Sequence, residues 1–179
     1  MQKPSVEHLQ CAQRILWYVS GTKDWGLLYR QGITEKLVGY TDADWAGDAS
    51  DRRSTSGYMF SIGSAAVAWS SKKQPTVALS STEAEYRGAT IATCEAIWLR
   101  RLLRDLRIEV PTPIPIYCDN MSSMQLAKNP VFHARTKHIE VHYHFLRERV
   151  LSGEVALRYV HTDRQVADIF TNLLVSDKL

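Results

Sequence analysis

Three short apolar segments followed by one long amphipathic segment constrain the fold more than any other feature of this sequence. Residues 36–42, 57–62 and 65–70 are apolar runs joined by segments that contain Gly and Ser, and this pattern predicts three strands of an antiparallel meander. From about Thr82 to Leu106, apolar side chains recur at the spacing of a helix. A meander followed by a long helix predicts an α/β domain.

The remaining segments alternate between strand and helix patterns. We predict a strand in "PTPIPIYCDN", with prolines only at its entrance, and a final helix from Asp163 to Leu174 that begins with a capping box of Thr162 and Gln165. The other predicted elements are helices at 4–20, 121–127 and about 136–151, and strands at 25–30 and 155–160. From residue 36 onward the order βββ-α-β-α-β-α predicts a mixed sheet with helices on its faces.

The composition excludes several classes of protein. The sequence contains no run of about 18 apolar residues, and its N-terminus lacks the charged-then-apolar pattern of a secretion signal. Cys11, Cys94 and Cys118 are widely spaced and form no C-x-x-C pair. We therefore expect an intracellular protein, in a cytoplasmic particle or the nucleus, with no membrane partner, no disulfide framework and no thiolate zinc site.

The basic residues are unevenly distributed. The net charge is +3, and most of the surplus lies in residues 99–107 and in the stretch from Lys128 to Arg149. Such a face is either an ordinary solvated surface or a surface that binds a polyanion, because neutralising phosphates releases counterions. Charge alone does not choose between the two.

Two strand patterns end in aspartates. Asp42 and Asp44 close the strand in "LVGYTDADWAGD", and Asp119 closes the strand in "IYCDN". A lone D-x-D is typical of a solvated turn, but Asp42 and Asp119 at the ends of adjacent strands would face each other at close range. Such a pair is repulsive without a cation, and carboxylate oxygens are the ligands that Mg²⁺ prefers. The two strand ends therefore predict a metal site.

The long helix supplies a third carboxylate. Glu83 and Glu85 lie about 200° apart around a helix axis, so only one of them can face the sheet. Steps of three or four residues from Glu85 meet an apolar stripe of Ala89, Ala92, Ala96, Leu99, Leu103 and Leu106. The same steps from Glu83 meet Arg87 and end at Arg101 and Arg104. We therefore predict that Glu85 faces the sheet, and that Glu83 lies on the polar side and pairs with Arg87.

Several long motifs carry a family resemblance: "GYTDADWAGD", "RRSTSGY", "WSSKKQPTVALSSTEAEY", "IYCDN", "RTKHIEVHYHFLRE" and "HTDRQVADIFT". They resemble the ribonuclease H domain of copia-type retrotransposon Pol polyproteins over residues 36–174. Residues 5–30 resemble the segment at the end of the reverse transcriptase that precedes this domain. The resemblance implies two parts, a reverse transcriptase C-terminal or connection segment at 1–35 (helix plus short strand) and a ribonuclease H domain at 36–179.

The resemblance also implies a fold and a cofactor. The fold is ribonuclease H-like, a five-stranded mixed sheet whose first three strands are antiparallel, flanked by helices. The cofactor is a pair of Mg²⁺ ions, with Mn²⁺ as a substitute, held by the four catalytic carboxylates Asp42, Glu85, Asp119 and Asp168. Two ions can stabilise both the attacking and the leaving oxygen of an in-line phosphodiester hydrolysis, which explains the need for several anionic ligands.

The C-terminal part departs from the family pattern in two ways. The segment "TNLLVSDKL" stands where the family has a basic residue and a proline. His161 matches a loop histidine near the metal site of related ribonucleases H, but Asp168 follows it by only seven positions. His161 is therefore either a catalytic residue or simply the residue at the end of a strand.

Two groups of residues are candidates for contacts with nucleic acid. Ser80, Ser81 and Thr82 precede the long helix, and they either donate hydrogen bonds to the RNA strand or only cap the helix. Arg135, Lys137 and His138 are our choices for phosphate contacts. His138 and His142 also have the i, i+4 spacing of a zinc pair, but the sequence offers no obvious third ligand.

These features together predict a metal-dependent endonuclease that cuts the RNA strand of an RNA–DNA hybrid during retrotransposon reverse transcription. Its partners are the hybrid and the reverse transcriptase of the same polyprotein, and its oligomeric state is open. One alternative is a catalytically weak nucleic-acid-binding relic of a retroelement. Another is a metal nuclease of the same fold that acts on DNA, because the recognition of 2′-hydroxyls is not visible in a sequence.

Overall fold

Five strands, four α-helices and two short 3₁₀ turns make up the elements of the described chain. The computed structural model describes residues 4–30, 36–128 and 137–172, apart from the side chains of 137–143. The helices are α1 (Val6–Gly21), α2 (Ser81–Asp105), α3 (Met121–Lys128) and α4 (Lys137–Leu151). The strands are β1 (Leu37–Ala43), β2 (Thr55–Ile62), β3 (Ala65–Lys73), β4 (Ile114–Cys118) and β5 (Val155–Tyr159).

The strands form a single mixed sheet in the order β3-β2-β1-β4-β5. The pairs β1–β2 and β2–β3 are antiparallel, whereas β1–β4 and β4–β5 are parallel. Parallel neighbours require a crossover connection, and α2 lies between β3 and β4 in the chain, with α3 and α4 between β4 and β5. The sheet confirms the predicted meander followed by alternating helices and strands.

Helix α2 packs on the sheet through the predicted apolar stripe. Ala89, Ala92 and Ala96 are fully buried, and Leu99 and Leu103 are nearly so. The small side chains bring the helix close to β1, and Gly88 marks the closest approach, since a Cβ on Gly88 would lie 3.3 Å from the carbonyl oxygen of Asp42. The stripe ends at Leu103, because Leu106 caps the helix and is exposed.

The described part of the predicted helix at 163–174, residues 163–172, has a different structure, and residues 173 and 174 lie outside the described residues. Residues 161–172, here called the C-terminal segment, contain two short 3₁₀ turns, Thr162–Arg164 and Val166–Phe170, separated by Gln165. The predicted capping box is wrong, since His161 rather than Thr162 caps the first turn. The segment packs against β1 and β2, and these contacts, rather than helix propensity, determine its backbone.

The N-terminal part forms the predicted helix but not the predicted strand. Ser5 caps α1 in a capping box with His8, and no residue of α1 is buried. Residues 25–30 are not in a strand. They are tied to the β2–β3 turn instead, because Ser64 Oγ accepts from Arg30 N and donates to the carbonyl of Leu28. Within the described ranges, no helix has the length and apolarity needed to cross a bilayer.

Candidate metal centre

Three carboxylates from separate elements converge at one edge of the sheet. One oxygen each of Asp42, Glu85 and Asp119 can be chosen so that all three lie within 4.8 Å of one another. Asp42 is 4% exposed and Glu85 is 7% exposed, whereas Asp119 is half-buried. The structure thus brings together the three residues that strand ends and helix periodicity predicted.

Each carboxylate is placed by the element that carries it. Asp42 is next to last in β1 and pairs with Gly57 of β2. Asp119 follows β4 directly, and β4 is the parallel neighbour of β1, so the carboxyl ends of both strands meet at one edge. Glu85 lies in the second turn of α2, where the close approach at Gly88 holds the helix against this edge.

The electrostatics of the cluster are unfavourable for anions alone. Burial raises the pKa of Glu85 to about 9, with the charges of Asp42 and Asp119 acting in the same direction. Burial likewise raises the pKa of Asp42, against a hydrogen bond from Thr171 that favours the ionised form. Glu85 Oε2 is buried without a hydrogen-bond partner. An all-oxygen donor set with an unpaired buried oxygen fits a hard divalent cation such as Mg²⁺.

Asp168 lies beside this cluster. It is buried in the second 3₁₀ turn of the C-terminal segment, and its charge contributes to the raised pKa of Asp42. It is not one of the three carboxylates that share the 4.8 Å cluster. Asp168 therefore lies near enough to Asp42 for its charge to act on it, in the same segment whose Thr171 donates to Asp42.

The two aspartates of the D-x-D pair have different surroundings. Asp42 belongs to the cluster, whereas the Asp44 side chain turns back and accepts a hydrogen bond from the backbone N–H of Thr55. Asp44 thereby closes the loop between β1 and β2. The turn interpretation of D-x-D is correct for the second aspartate alone.

The position predicted for Glu83 is wrong, although its pairing is confirmed. Glu83 Oε1 lies 2.5 Å from Arg87 Nη2, but Glu83 is only 5% exposed and Arg87 only 9%. The loop at 74–80 folds over the first turns of α2 and buries the pair. Within it, Leu79 N donates to Glu83 Oε2, and Arg87 donates to the carbonyl and hydroxyl of Thr76.

The other predicted site residues lie around the cluster or outside the described part of the chain. His161 is exposed and its Nδ1 lies 3.1 Å from a carboxylate oxygen of Asp163, so its catalytic role stays a prediction. Ser80 caps α2 by accepting from Glu83 N, Ser81 is exposed and Thr82 is partly exposed. Arg135 and the side chains of Lys137, His138 and His142 are outside the described residues.

Sequence reasoning missed the polar residues that support the cluster. Thr171 donates to Asp42 Oδ2, Thr162 donates to Asp119 Oδ2 at 2.7 Å, and Gln165 donates to the carbonyl of Thr41 at 3.0 Å. All three come from the C-terminal segment, and their partners are distant in sequence. The only signal was the density of polar residues in "HTDRQVADIFTN", which predicted a helix cap instead.

Two solved structures share the architecture. An N-terminal RNase H domain from Mycobacterium tuberculosis is similar with a TM-score of 0.54 at 16% identity, covering 78% of this chain and 92% of that one. A foamy viral protease–reverse transcriptase in complex with an RNA/DNA hybrid is similar with a TM-score of 0.52 at 16% identity, covering 99% of this chain and 21% of that one. With its sheet order and its carboxylate cluster, the chain has a ribonuclease H-like fold.

Sequence comparison identifies the family. No protein-family model matches the chain. The retrovirus-related Pol polyprotein from transposon RE1 of Arabidopsis thaliana is 47% identical over 174 residues, which are 97% of this chain and 12% of that protein. Over nearly its whole length the chain is homologous to part of the retrovirus-related Pol polyproteins of transposons, and it spans about an eighth of the length of this relative. The resemblance drawn from the motifs is thereby confirmed.

Proposed function

We propose that this chain hydrolyses the RNA strand of RNA–DNA hybrids, with divalent cations held by its carboxylate cluster. The observation that carries the proposal is the convergence of Asp42, Glu85 and Asp119 within 4.8 Å, with a buried Glu85 oxygen that has no partner. Such a cluster costs stability in a metal-free protein. Because the cluster destabilises the metal-free fold, its presence at the ends of two parallel strands indicates a functional role for these carboxylates.

The four carboxylates have distinct positions in the proposed site. Asp42 is the central ligand, because its oxygen lies within 4.8 Å of oxygens of Glu85 and Asp119 and the charge of Asp168 also acts on it. Mg²⁺ ions bound here supply charge stabilisation for the attacking and leaving oxygens of the phosphodiester. Burial of Asp42 and Glu85 keeps water from competing for their oxygens and strengthens their interaction with a cation.

The proposed substrate is supported by the relatives. The foamy viral protease–reverse transcriptase of the same fold was solved in complex with an RNA/DNA hybrid, and the Pol polyprotein relatives belong to transposons. A hybrid is the intermediate that forms when DNA is copied from RNA, so removal of its RNA strand is a step in retroelement replication. His161, Ser80, Ser81, Thr82, Arg135, Lys137 and His138 remain our candidates for substrate contacts.

Residues 1–35 are proposed to be the end of the reverse transcriptase, with the division from the nuclease domain at residue 36. Helix α1 has no buried residue, and Leu9, Leu16 and Trp17 are more than half exposed. An exposed apolar helix of this kind indicates a missing packing partner. The reverse transcriptase of the same polyprotein is the proposed partner.

A hybrid labelled on both strands tests the proposal. We expect the 179-residue chain to cut the RNA strand in Mg²⁺ or Mn²⁺, to stop on addition of a chelator, and to leave the DNA strand intact. Asp119→Asn is expected to keep the fold and abolish cleavage, because it removes a metal-binding charge and little volume. Cleavage of the DNA strand, cleavage in the presence of chelator, or near wild-type cleavage by Asp119→Asn would contradict the proposal.

A further inference from the structure

Two threonine hydroxyls of the C-terminal segment meet two carboxylates of the cluster. Thr171 Oγ1 donates to Asp42 Oδ2, and Thr162 Oγ1 donates to Asp119 Oδ2 at 2.7 Å. The two acceptors end neighbouring parallel strands, whereas both donors lie in one short stretch of chain. Each carboxylate keeps a second oxygen, Oδ1, that these hydroxyls do not engage.

The hydrogen bond of Thr171 has a defined direction. A hydroxyl has one proton, and Asn172 Nδ2 lies 3.3 Å from Thr171 Oγ1 as a donor to it. The hydroxyl has two acceptors within reach, the carbonyl of Asp168 at 3.3 Å and the much nearer Asp42 Oδ2, so we assign the proton to Asp42. The Asn172 amide also lies 3.5 Å from the same carboxylate oxygen. Asp42 Oδ2 is thus fixed by neighbouring donors on a single segment.

Contacts independent of the carboxylates hold this segment in place. Gln165 Nε2 donates to the carbonyl of Thr41, and Ser71 Oγ donates to the carbonyl of Phe170 at 2.6 Å. Gly57 allows the backbone to pack closely, because a Cβ there would lie 2.7 Å from Phe170 Cβ. The threonines are therefore presented by a scaffold anchored on β1, β2 and β3, and they do not depend on the cluster for their position.

We propose that Thr171 and Thr162 are positioning residues that fix the carboxylates of Asp42 and Asp119 in the orientation that binds divalent cations. This inference rests on the proposed function. A carboxylate rotates about its last torsion with little preference, so a donor on one oxygen determines where the other oxygen points. Outer-shell donors of this kind affect metal affinity through the ligands that they orient.

The two threonines are expected to differ in effect. Thr171 is partly buried and acts on Asp42, which is the most central and most buried carboxylate. Thr162 is exposed and acts on the half-buried Asp119, where water can replace the lost donor. We expect a loss of Mn²⁺ affinity of about 10-fold or more for Thr171→Val and a smaller, several-fold loss for Thr162→Val.

Calorimetric titration of the full chain with Mn²⁺ tests the inference. Thr171→Val keeps the shape and removes the hydroxyl, and Thr171→Ser restores the hydroxyl. Thr93→Val is a matched control, because Thr93 is a buried threonine of α2 whose hydroxyl has no partner. We expect the dissociation constant to rise for Thr171→Val and to return toward wild type for Thr171→Ser. Thr93→Val should bind Mn²⁺ as wild type does.

Cleavage measured against Mg²⁺ concentration provides the second readout. A positioning role raises the Mg²⁺ concentration needed for half-maximal cleavage of the hybrid, and the rate recovers at high Mg²⁺. Unchanged Mn²⁺ affinity in Thr171→Val, or an equal loss in Thr93→Val, overturns the inference while leaving the proposed function intact. A wild-type chain that binds no Mn²⁺ overturns both.

Discussion

Glu83 and Glu85 lie two residues apart at the start of α2, both are buried, and their surroundings are opposite. Glu83 faces Arg87 at 2.5 Å and accepts from Leu79 N at 2.8 Å. Glu85 faces Asp42 and Asp119, which raise its pKa further above its usual value. One of its oxygens is buried without a partner. Glu83 faces a cation, whereas Glu85 has a backbone donor at Ala43 and faces two anions.

This difference shows that burial of a carboxylate does not by itself indicate a functional role. A buried charge with a cation and a backbone donor stabilises the fold locally, because both of its oxygens are satisfied. A buried carboxylate that faces other anions is neutralised only by a proton or by a cation from outside the chain. The balance of partners around the group, rather than its exposure, separates a structural glutamate from a candidate metal ligand.

The largest expected effect is on cleavage. Glu85→Gln removes an inward-pointing anionic ligand, and we expect hybrid cleavage to fall at least about 100-fold, since loss of an outer-shell partner alone costs up to that much. Glu83→Gln is expected to retain most activity below its melting temperature. The measurement is single-turnover cleavage of one labelled hybrid in Mg²⁺. Equal losses in the two variants, or a larger loss at Glu83, would show that the two environments have been assigned to the wrong residues.

The next effect is on stability, and here Glu83→Gln is expected to be more damaging than Glu85→Gln. Glu83→Gln leaves the Arg87 guanidinium buried without a counter-charge, and we expect the free energy of unfolding to fall by about 3 kcal/mol. For a chain of this size that is a fall in melting temperature of roughly 6–12 °C. The double variant Glu83→Gln/Arg87→Met should be less destabilised than the sum of its single variants. A loss under about 0.5 kcal/mol would be the value of an exposed ion pair and would contradict the buried environment.

A smaller effect concerns pH in the metal-free protein. The pKa of Glu85 is about 9 in the folded chain and near 4.5 in the unfolded chain, so between these values the folded state binds the extra proton. Stability conferred by that proton is complete below the unfolded pKa and is lost as the pH rises toward the folded pKa. Denaturant melts in chelator should show this decline, and Glu85→Gln should reduce its slope. An unchanged slope in Glu85→Gln would mean that another group causes the decline.

The sequence predicted those parts of the site that lie on regular elements. Asp42 and Asp119 were found because apolar strands stop beside them, and Glu85 because helical periodicity places it on the stripe that ends at Leu103. These signals are local, and the sheet order brings the three residues together. Asp168 was inferred from resemblance alone, since the turn that carries it has no periodic pattern.

The errors lie where long-range contacts determine the environment. Glu83 was predicted on the polar side of α2 because its stripe contains arginines. In the structure the loop at 74–80 covers Glu83. The sequence of this loop has no periodicity from which its path could be predicted. The threonine donors were missed because Thr171 and Asp42 are 129 positions apart and Thr162 and Asp119 are 43 apart. The 3₁₀ turns of the C-terminal segment were predicted as one helix, since composition does not show how closely Gly57 lets them pack.

Thermal melting of the two glutamate variants with and without Mg²⁺ tests the central claim most directly. The claim is that the carboxylates that lack a cation partner form the metal centre. At neutral pH the wild type must take up a proton at Glu85 on folding, so Glu85→Gln, which needs none, should raise the metal-free melting temperature. It should also lose most of the rise that millimolar Mg²⁺ or Mn²⁺ gives the wild type by linkage. Glu83→Gln should show the reverse, a lower metal-free melting temperature with the full rise on adding metal. A full metal-dependent rise in Glu85→Gln, or its loss in Glu83→Gln, would contradict the account.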